Sequence, residues 1–441
     1  MSEDPDQLTR QERRSALLTP VYRILGTPIV AALSLANTAI IVRQTGAEVF
    51  GLVSLVATIT LLFPFADLGI GSTVITASAQ LSGPDRDVRA ADIIRRSYHV
   101  LFAVAAAVMA LAVAIMTRDG WRPLIGFSSG PADRLAVTVA ACVFALTIPA
   151  GLGVRILVGI NRVPLATVVL MANSVFALAI TGVLYLIRVP GVWYSLSALG
   201  GLLIGQIIGT VLALRLTGLG ITAFARVDPS NRRERLLRGS LWLFLMGVGL
   251  PVALQAGRPL LAHFSTPLQL SEYALMAQIY GVCWTVFSTA GFTLWPIFVR
   301  RRTATKATLQ IWARTTAIFL AAGAITTVVL VATSPPAGDI LSGGRISISG
   351  GLAFGFGLLL MGQGTFLVSG MLLTRPEEAR LQALWALTMA AISVGAGAVA
   401  AHRYGAVGVV CAAALAVLLA QVIPSLVWVP RLVRRRPAAA S

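Results

Sequence analysis

Apolar positions in this chain come in long runs. They fill stretches of helix length at about residues 17–42, 49–81, 97–116, 135–160, 163–187, 195–215, 239–263, 270–299, 308–333, 349–374, 381–401 and 406–429, separated by short polar or basic segments. About 20 consecutive apolar residues span the hydrocarbon core of a bilayer as an α-helix. In that medium a helix is favoured because it satisfies its backbone N–H and C=O groups within one segment. The pattern therefore predicts an all-α integral membrane protein with twelve transmembrane helices. Composition agrees. Of 441 residues 57% are hydrophobic and only 12% charged, with a mean hydropathy of +0.84, whereas a soluble domain carries roughly 25% charged residues. A cytosolic enzyme, a disordered chain and a secreted disulfide scaffold are excluded. Cys142, Cys283 and Cys411 each sit inside an apolar run, with neither disulfide nor metal spacing.

The net charge of +18 would suggest nucleic acid in a soluble protein. Here the basic residues cluster between spans. With twelve spans, 23 Lys/Arg fall in segments on the side of the termini and seven in the opposite loops, namely Arg43, Arg118, Arg122, Arg134, Arg188, Arg345 and Arg403. Positive charge is retained on the cytoplasmic side, so both termini are expected there. The polar start, Arg13-Arg14 and the long run that follows do not read as a cleavable signal. Basic segments such as NRRER and RLVRRR read as topology determinants and anionic-lipid contacts, with no nucleic-acid partner.

An internal repeat supplies the domain plan. NTAIIVRQTGAEVFGLVSL, from Asn37 to Leu55, aligns without gaps with RPLLAHFSTPLQLSEYALM, from Arg258 to Met276. Each is the end of a span, a short outer loop and the start of the next span. The resulting plan is a cytoplasmic segment 1–16, a six-helix bundle 17–215, a basic cytoplasmic linker 216–238, a second six-helix bundle 239–429 and a basic cytoplasmic tail 430–441. Six is even, so the halves share one orientation in the membrane. Pro64, Gly69 and Gly71 interrupt the second span, Gly247, Gly249, Pro251 and Gly257 the seventh, and Pro296 the eighth. Kinks are expected there. Seven glycines between Gly350 and Gly370 are expected to allow close helix packing in the tenth.

The segment GAEVFGLVSLVATITLLFPFADLGIGSTVITASAQ (Gly46–Gln80) resembles the first hairpin of polysaccharide and O-antigen flippases. LQAGRPLLAHFSTPLQLSEYALMAQIYG resembles that family's seventh and eighth helices, and TLWPIFVRR the end of its eighth. The resemblance implies a V-shaped, MATE-like alternating-access transporter of the multidrug/oligosaccharidyl-lipid/polysaccharide exporter superfamily. It further implies a bacterial inner-membrane location and a polyprenyl-pyrophosphate-linked glycan as cargo, with a polysaccharide polymerase and glycosyltransferases as pathway partners. Relatives often carry Asp about where Gly257 stands here, so any role of that carboxylate is absent.

Candidate chemistry follows from charges placed in apolar surroundings. Arg23, Arg258 and Arg314 each lie in a run where an arginine costs about 2.5–3.5 kcal/mol on insertion scales. An anionic partner or a wet cavity offsets such a cost, and guanidinium is a permanently charged fork suited to a pyrophosphate. Arg23 and Arg258 are therefore candidate substrate ligands, although Arg23 also lies near enough to the inner interface to snorkel. Arg314 is a candidate gating residue or a structural one. Asp67, the one acid expected within a span, is either a gating or ion-coupling residue or a local cap. Coupling to a Na+ or H+ gradient is left open. Asn37, Gln255 and Gln278 are candidate sugar ligands or interhelical hydrogen-bonders, and Tyr273, with Tyr280 and Trp284, stacks on a sugar or packs. No cofactor, metal set, catalytic group or nucleotide motif is legible, and the chain reads as a non-enzyme. The rivals are a multidrug or cation antiporter of the same fold, a membrane glycosyltransferase or polymerase, and a non-transporting scaffold. An antiporter for cationic drugs predicts acids in the cleft, whereas this sequence puts arginines there.

Overall fold

The computed structural model describes residues 10–62, 70–81, 88–125, 130–220, 224, 249–300, 305–373 and 376–435. Asp67 and most of the basic linker lie outside them. Among the described residues the regular structure is entirely helical, and nine stretches are long and apolar enough to cross a membrane.

Nine stretches do not amount to twelve separate helices, and two glycines account for part of the difference. Arg10–Ala57 runs through the first predicted loop, and Pro376–Val417 runs through the last. The loop expected at residues 43–48 shrinks to a break at Gly46 (φ 80°, ψ 171°). The one near Arg403 shrinks to Gly405 (φ 58°, ψ −138°). Both are positive-φ conformations that a Cβ disfavours, so one glycine does the work of a loop. Elsewhere proline and glycine break single runs. The fourth run divides at Gly151, after Pro149, into Pro131–Ala150 and Leu152–Gly159, a break not foreseen from the pattern. The eighth ends at Phe292, leaving Pro296 in the short helix Leu294–Arg300. The seventh turns at Ala256, which keeps helical angles (φ −61°, ψ −20°), and Gly257–Phe264 continues beyond it.

The described residues fall into two compact units. One draws on residues 1–37, 56–124 and 128–241, the other on 38–55, 125–127 and 242–441. The first long helix contributes to both, and its Thr38–Leu55 portion groups with the second unit.

In the first unit Val163–Leu186 packs on Ser195–Thr217, and Pro131–Ala150 packs on Val88–Thr117 and Ser195–Thr217. Gly201 permits the first pairing, since a Cβ there would lie 2.6 Å from the Asn173 carbonyl oxygen. Hydroxyls add a polar pin. Asn37 donates to Ser197 Oγ at 3.1 Å, Thr181 donates to the same oxygen at 2.6 Å, and Ser197 donates to the Ala177 carbonyl at 2.9 Å.

The second unit is organised on Gly350–Leu372, which packs against Pro267–Phe292, Thr305–Ser342 and Pro376–Val417. Ser349 starts this helix by capping the Leu352 N–H at 3.2 Å. Its glycines distribute among the three neighbours: Gly357 meets Thr327, Gly355 meets Val410 and Gly364 meets Phe287. Without side chains at these positions the backbones approach closely enough for dispersion to hold helices that lipid does not drive together. An aromatic and aliphatic core including Phe298, Trp312, Trp385 and Val429 closes the unit, with Trp312 Nε1 donating to Ser369 Oγ at 3.0 Å.

Candidate anion site around Arg258

Arg258 is the second residue of the helix Gly257–Phe264, directly after the turn at Ala256. Two contacts set that segment in place. Ser393 donates to the Ala253 carbonyl at 2.6 Å, and Leu260 fills the space left by Gly397. Leu261 and Ala262 are buried beneath it. Arg258 is thus carried on fixed backbone within the second unit.

Its surroundings are formed by an absence and a hydroxyl. Gly257 has no side chain, and the Tyr273 hydroxyl occupies the place where a Cβ would stand. Tyr273 lies on Pro267–Phe292, a helix started by Thr266, which caps the Gln269 N–H at 3.3 Å. The tyrosine is only 4% exposed. Its ring packs against Phe356 with centroids 5.0 Å apart, and Phe356 in turn packs against Tyr280 at 5.3 Å. Tyr280 donates to Gln363 Oε1, which satisfies the buried amide. The Tyr273 ring is thereby buried against Phe356, and the hydroxyl is what it presents toward Gly257.

Arg258 directly follows the glycine that the Tyr273 hydroxyl abuts. Its Nε is buried and has no hydrogen-bond partner among the described residues, while the residue as a whole is half-buried. An unsatisfied donor of a charged group is costly to bury, of the order of 1–3 kcal/mol or more. Among the described residues the ion pairs are Arg95–Asp92 and Arg134–Asp119, and neither involves Arg258. The arrangement is a preorganised cation with donors to spare, chemically suited to a phosphate-type oxyanion.

The other candidate residues divide as follows. Gln255 lies half-buried one turn before Arg258, and Gln278 lies half-buried on the helix that carries Tyr273. These two share the second unit with Arg258. Asn37 belongs to the first unit, where its amide is used in the pin with Ser197 and Thr181. Arg314 is exposed, on a helix face it shares with exposed Ile318. The backbone of Arg23 is helical, and its side chain lies outside the described residues, as does Asp67. Gly257 was expected only as a kink; its second role, making room for the Tyr273 hydroxyl, depends on a neighbour sixteen positions away.

A sequence profile of the family described as "Polysaccharide biosynthesis protein" matches residues 21–302, more than half of the chain. The chain belongs to this family. No curated protein matches it in sequence. Among solved structures it is similar to an inward-facing multidrug-resistance MATE transporter of the MOP superfamily, at a TM-score of 0.67 and 11% identity over 95% of this chain and 100% of that one. The lipid II flippase MurJ in an inward closed conformation aligns at 0.64 and 12% identity, over 93% of this chain and 87% of the flippase. A MOP-superfamily transporter from Pyrococcus furiosus, described as having a binding pocket of reverse polarity, aligns at 0.56 and 11% identity over 97% and 99%. At such identities the likeness establishes the fold, which is MATE-like and helical. Family and fold together make this polysaccharide-biosynthesis protein a multi-pass membrane protein of the transporter and flippase class.

Proposed function

We propose that this member of the polysaccharide-biosynthesis family flips a lipid-linked oligosaccharide precursor across the bacterial inner membrane by alternating access. Arg258 receives the pyrophosphate that joins glycan to polyprenol. One observation carries the reading: an arginine on fixed backbone whose buried Nε has no acceptor among the described residues. An anionic head group supplies that acceptor and offsets the cost of placing the charge there. Gln255 and Gln278 offer amides to sugar hydroxyls in the same unit, and the Tyr273 hydroxyl abuts Gly257, the residue before Arg258. The cargo moves without bond making or breaking.

The sign of the site separates this reading from export of cationic drugs, which an unneutralised arginine repels. In a strain lacking the gene, Arg258→Ala is expected to reach the membrane at wild-type level and to leave surface polysaccharide reduced at least about tenfold, because removing one partner of a buried charge interaction costs about 2–5 kcal/mol. Full surface polysaccharide in that strain removes Arg258 from the site. Restored drug resistance with no change in polysaccharide supports the antiporter instead.

A further inference from the structure

We propose that Arg43 and Arg345 form a second anion site, one that takes a phosphate or pyrophosphate group on the side that the charge pattern assigns to the cell exterior. Both residues lie in the second unit. Arg43 Nη2 donates to the Ile340 carbonyl at 2.6 Å, and Arg345 Nη1 donates to the carbonyl of Arg43 itself at 2.7 Å. Each side chain thus ties its own segment to the backbone of the other, about 300 positions away in sequence.

The intervening turn has a defined course. Gly343 and Gly344 both have positive φ (66° and 78°), which returns Arg345 toward Arg43. A Cβ on Gly343 would lie 3.6 Å from Arg43 Nε, so the guanidinium lies against that glycine. The Ile346 N–H donates to Ser342 Oγ at 3.0 Å, and the Ile346 and Ile348 side chains are buried.

Carbonyls at helix ends favour cations, which accounts for one arginine at each helix end. It leaves both side chains at one turn, with Arg345 on the carbonyl of Arg43 and Arg43 against Gly343. Each guanidinium carries five N–H donors and spends one hydrogen bond on a carbonyl. Both residues are exposed, and neither forms an ion pair with a carboxylate among the described residues. Two exposed, oriented forks with unused donors match an oxyanion with several acceptor oxygens. Two sources share that chemistry: the phosphodiester of a lipid headgroup and the pyrophosphate of the transported lipid as it leaves. The second source rests on the function proposed above; the site itself does not.

The test uses full-length protein in nanodiscs of zwitterionic lipid, titrated with inorganic pyrophosphate, with the ligand-induced shift in thermal unfolding as readout. Arg258→Ala removes the site proposed above and isolates this one. In that background a saturable upward shift is expected, kept by Arg43→Lys/Arg345→Lys and reduced at least about tenfold in apparent affinity by Arg43→Gln/Arg345→Gln. Each variant is compared with its own ligand-free baseline, so loss of the carbonyl hydrogen bonds does not mimic loss of binding. Nanodiscs containing phosphatidylglycerol separate the sources. Competition between that lipid and pyrophosphate supports the headgroup, and an unchanged pyrophosphate response supports the transported lipid. No shift in the Arg258→Ala background, or one that survives Arg43→Gln/Arg345→Gln, overturns the proposal. Whether Arg258→Ala still supports polysaccharide export is a separate result and bears only on the transport reading.

Discussion

At the scale of single residues the account turns on what a missing Cβ admits. Gly257 leaves the space that the Tyr273 hydroxyl takes beside Arg258. Gly257→Ala is expected to lower stability by about 1–3 kcal/mol, the usual range for overpacking, and to lower transport as well. Tyr273→Phe removes the nearest clashing atom but keeps Cζ, 2.6 Å from the same Cβ position, and is expected to restore a minor part of the stability in the double variant. Thermal unfolding of the purified single and double variants, cycled against wild type, checks this. Ser197→Ala is a second residue-level case. It strips Thr181 and Asn37 of their common partner, and interhelical hydrogen bonds in membranes are worth about 0.6 kcal/mol on average and up to about 1.7. A loss within that range, with transport unchanged, is the expected result. Arg258 itself was legible in the sequence, since a charge inside an apolar run stands out at once. Its relation to Tyr273 was not, because it depends on a side chain that glycine lacks.

Among the elements, single glycines stand where loops were expected. Gly46 and Gly405 hold conformations that cost a residue with a side chain on the order of 1–3 kcal/mol. Gly405→Ala also drives a Cβ into Gln269 Oε1, the oxygen that accepts the Ala406 N–H at 2.7 Å. Gly46→Ala and Gly405→Ala are therefore expected to lower the unfolding temperature. Gly395→Ala, on the same helix as Gly405 with nothing within 4 Å of its Cβ position, is expected to leave it unchanged or raise it. The apolar runs foretold where helices lie, because hydrocarbon leaves the backbone few alternatives. They did not foretell the end of Pro131–Ala150 at Gly151, because hydropathy stays high through Pro149 and Gly151 alike. The shrinking of that loop to a single kink at Gly46 was equally hidden, since a polar interval of six residues reads as a loop whether or not the chain needs one.

For the molecule as a whole, the asymmetry of 23 against seven basic residues predicts cytoplasmic termini. A green fluorescent protein fused after Ser441 is expected to fluoresce, and alkaline phosphatase fused after Arg345 to be active; the reverse pattern contradicts the topology. The sequence repeat likewise suggested two halves, yet Thr38–Leu55 groups with the second unit, a tertiary choice no local pattern encodes. The central claim, that a buried guanidinium receives the pyrophosphate of a lipid-linked glycan, is met most directly in proteoliposomes. Transbilayer movement of a fluorescent polyprenyl-pyrophosphoryl oligosaccharide is followed for the wild type, Arg258→Ala and exposed Arg118→Ala. The account predicts movement by the wild type and Arg118→Ala at similar rates, and a fall of at least about tenfold for Arg258→Ala. Movement by Arg258→Ala at the wild-type rate contradicts it.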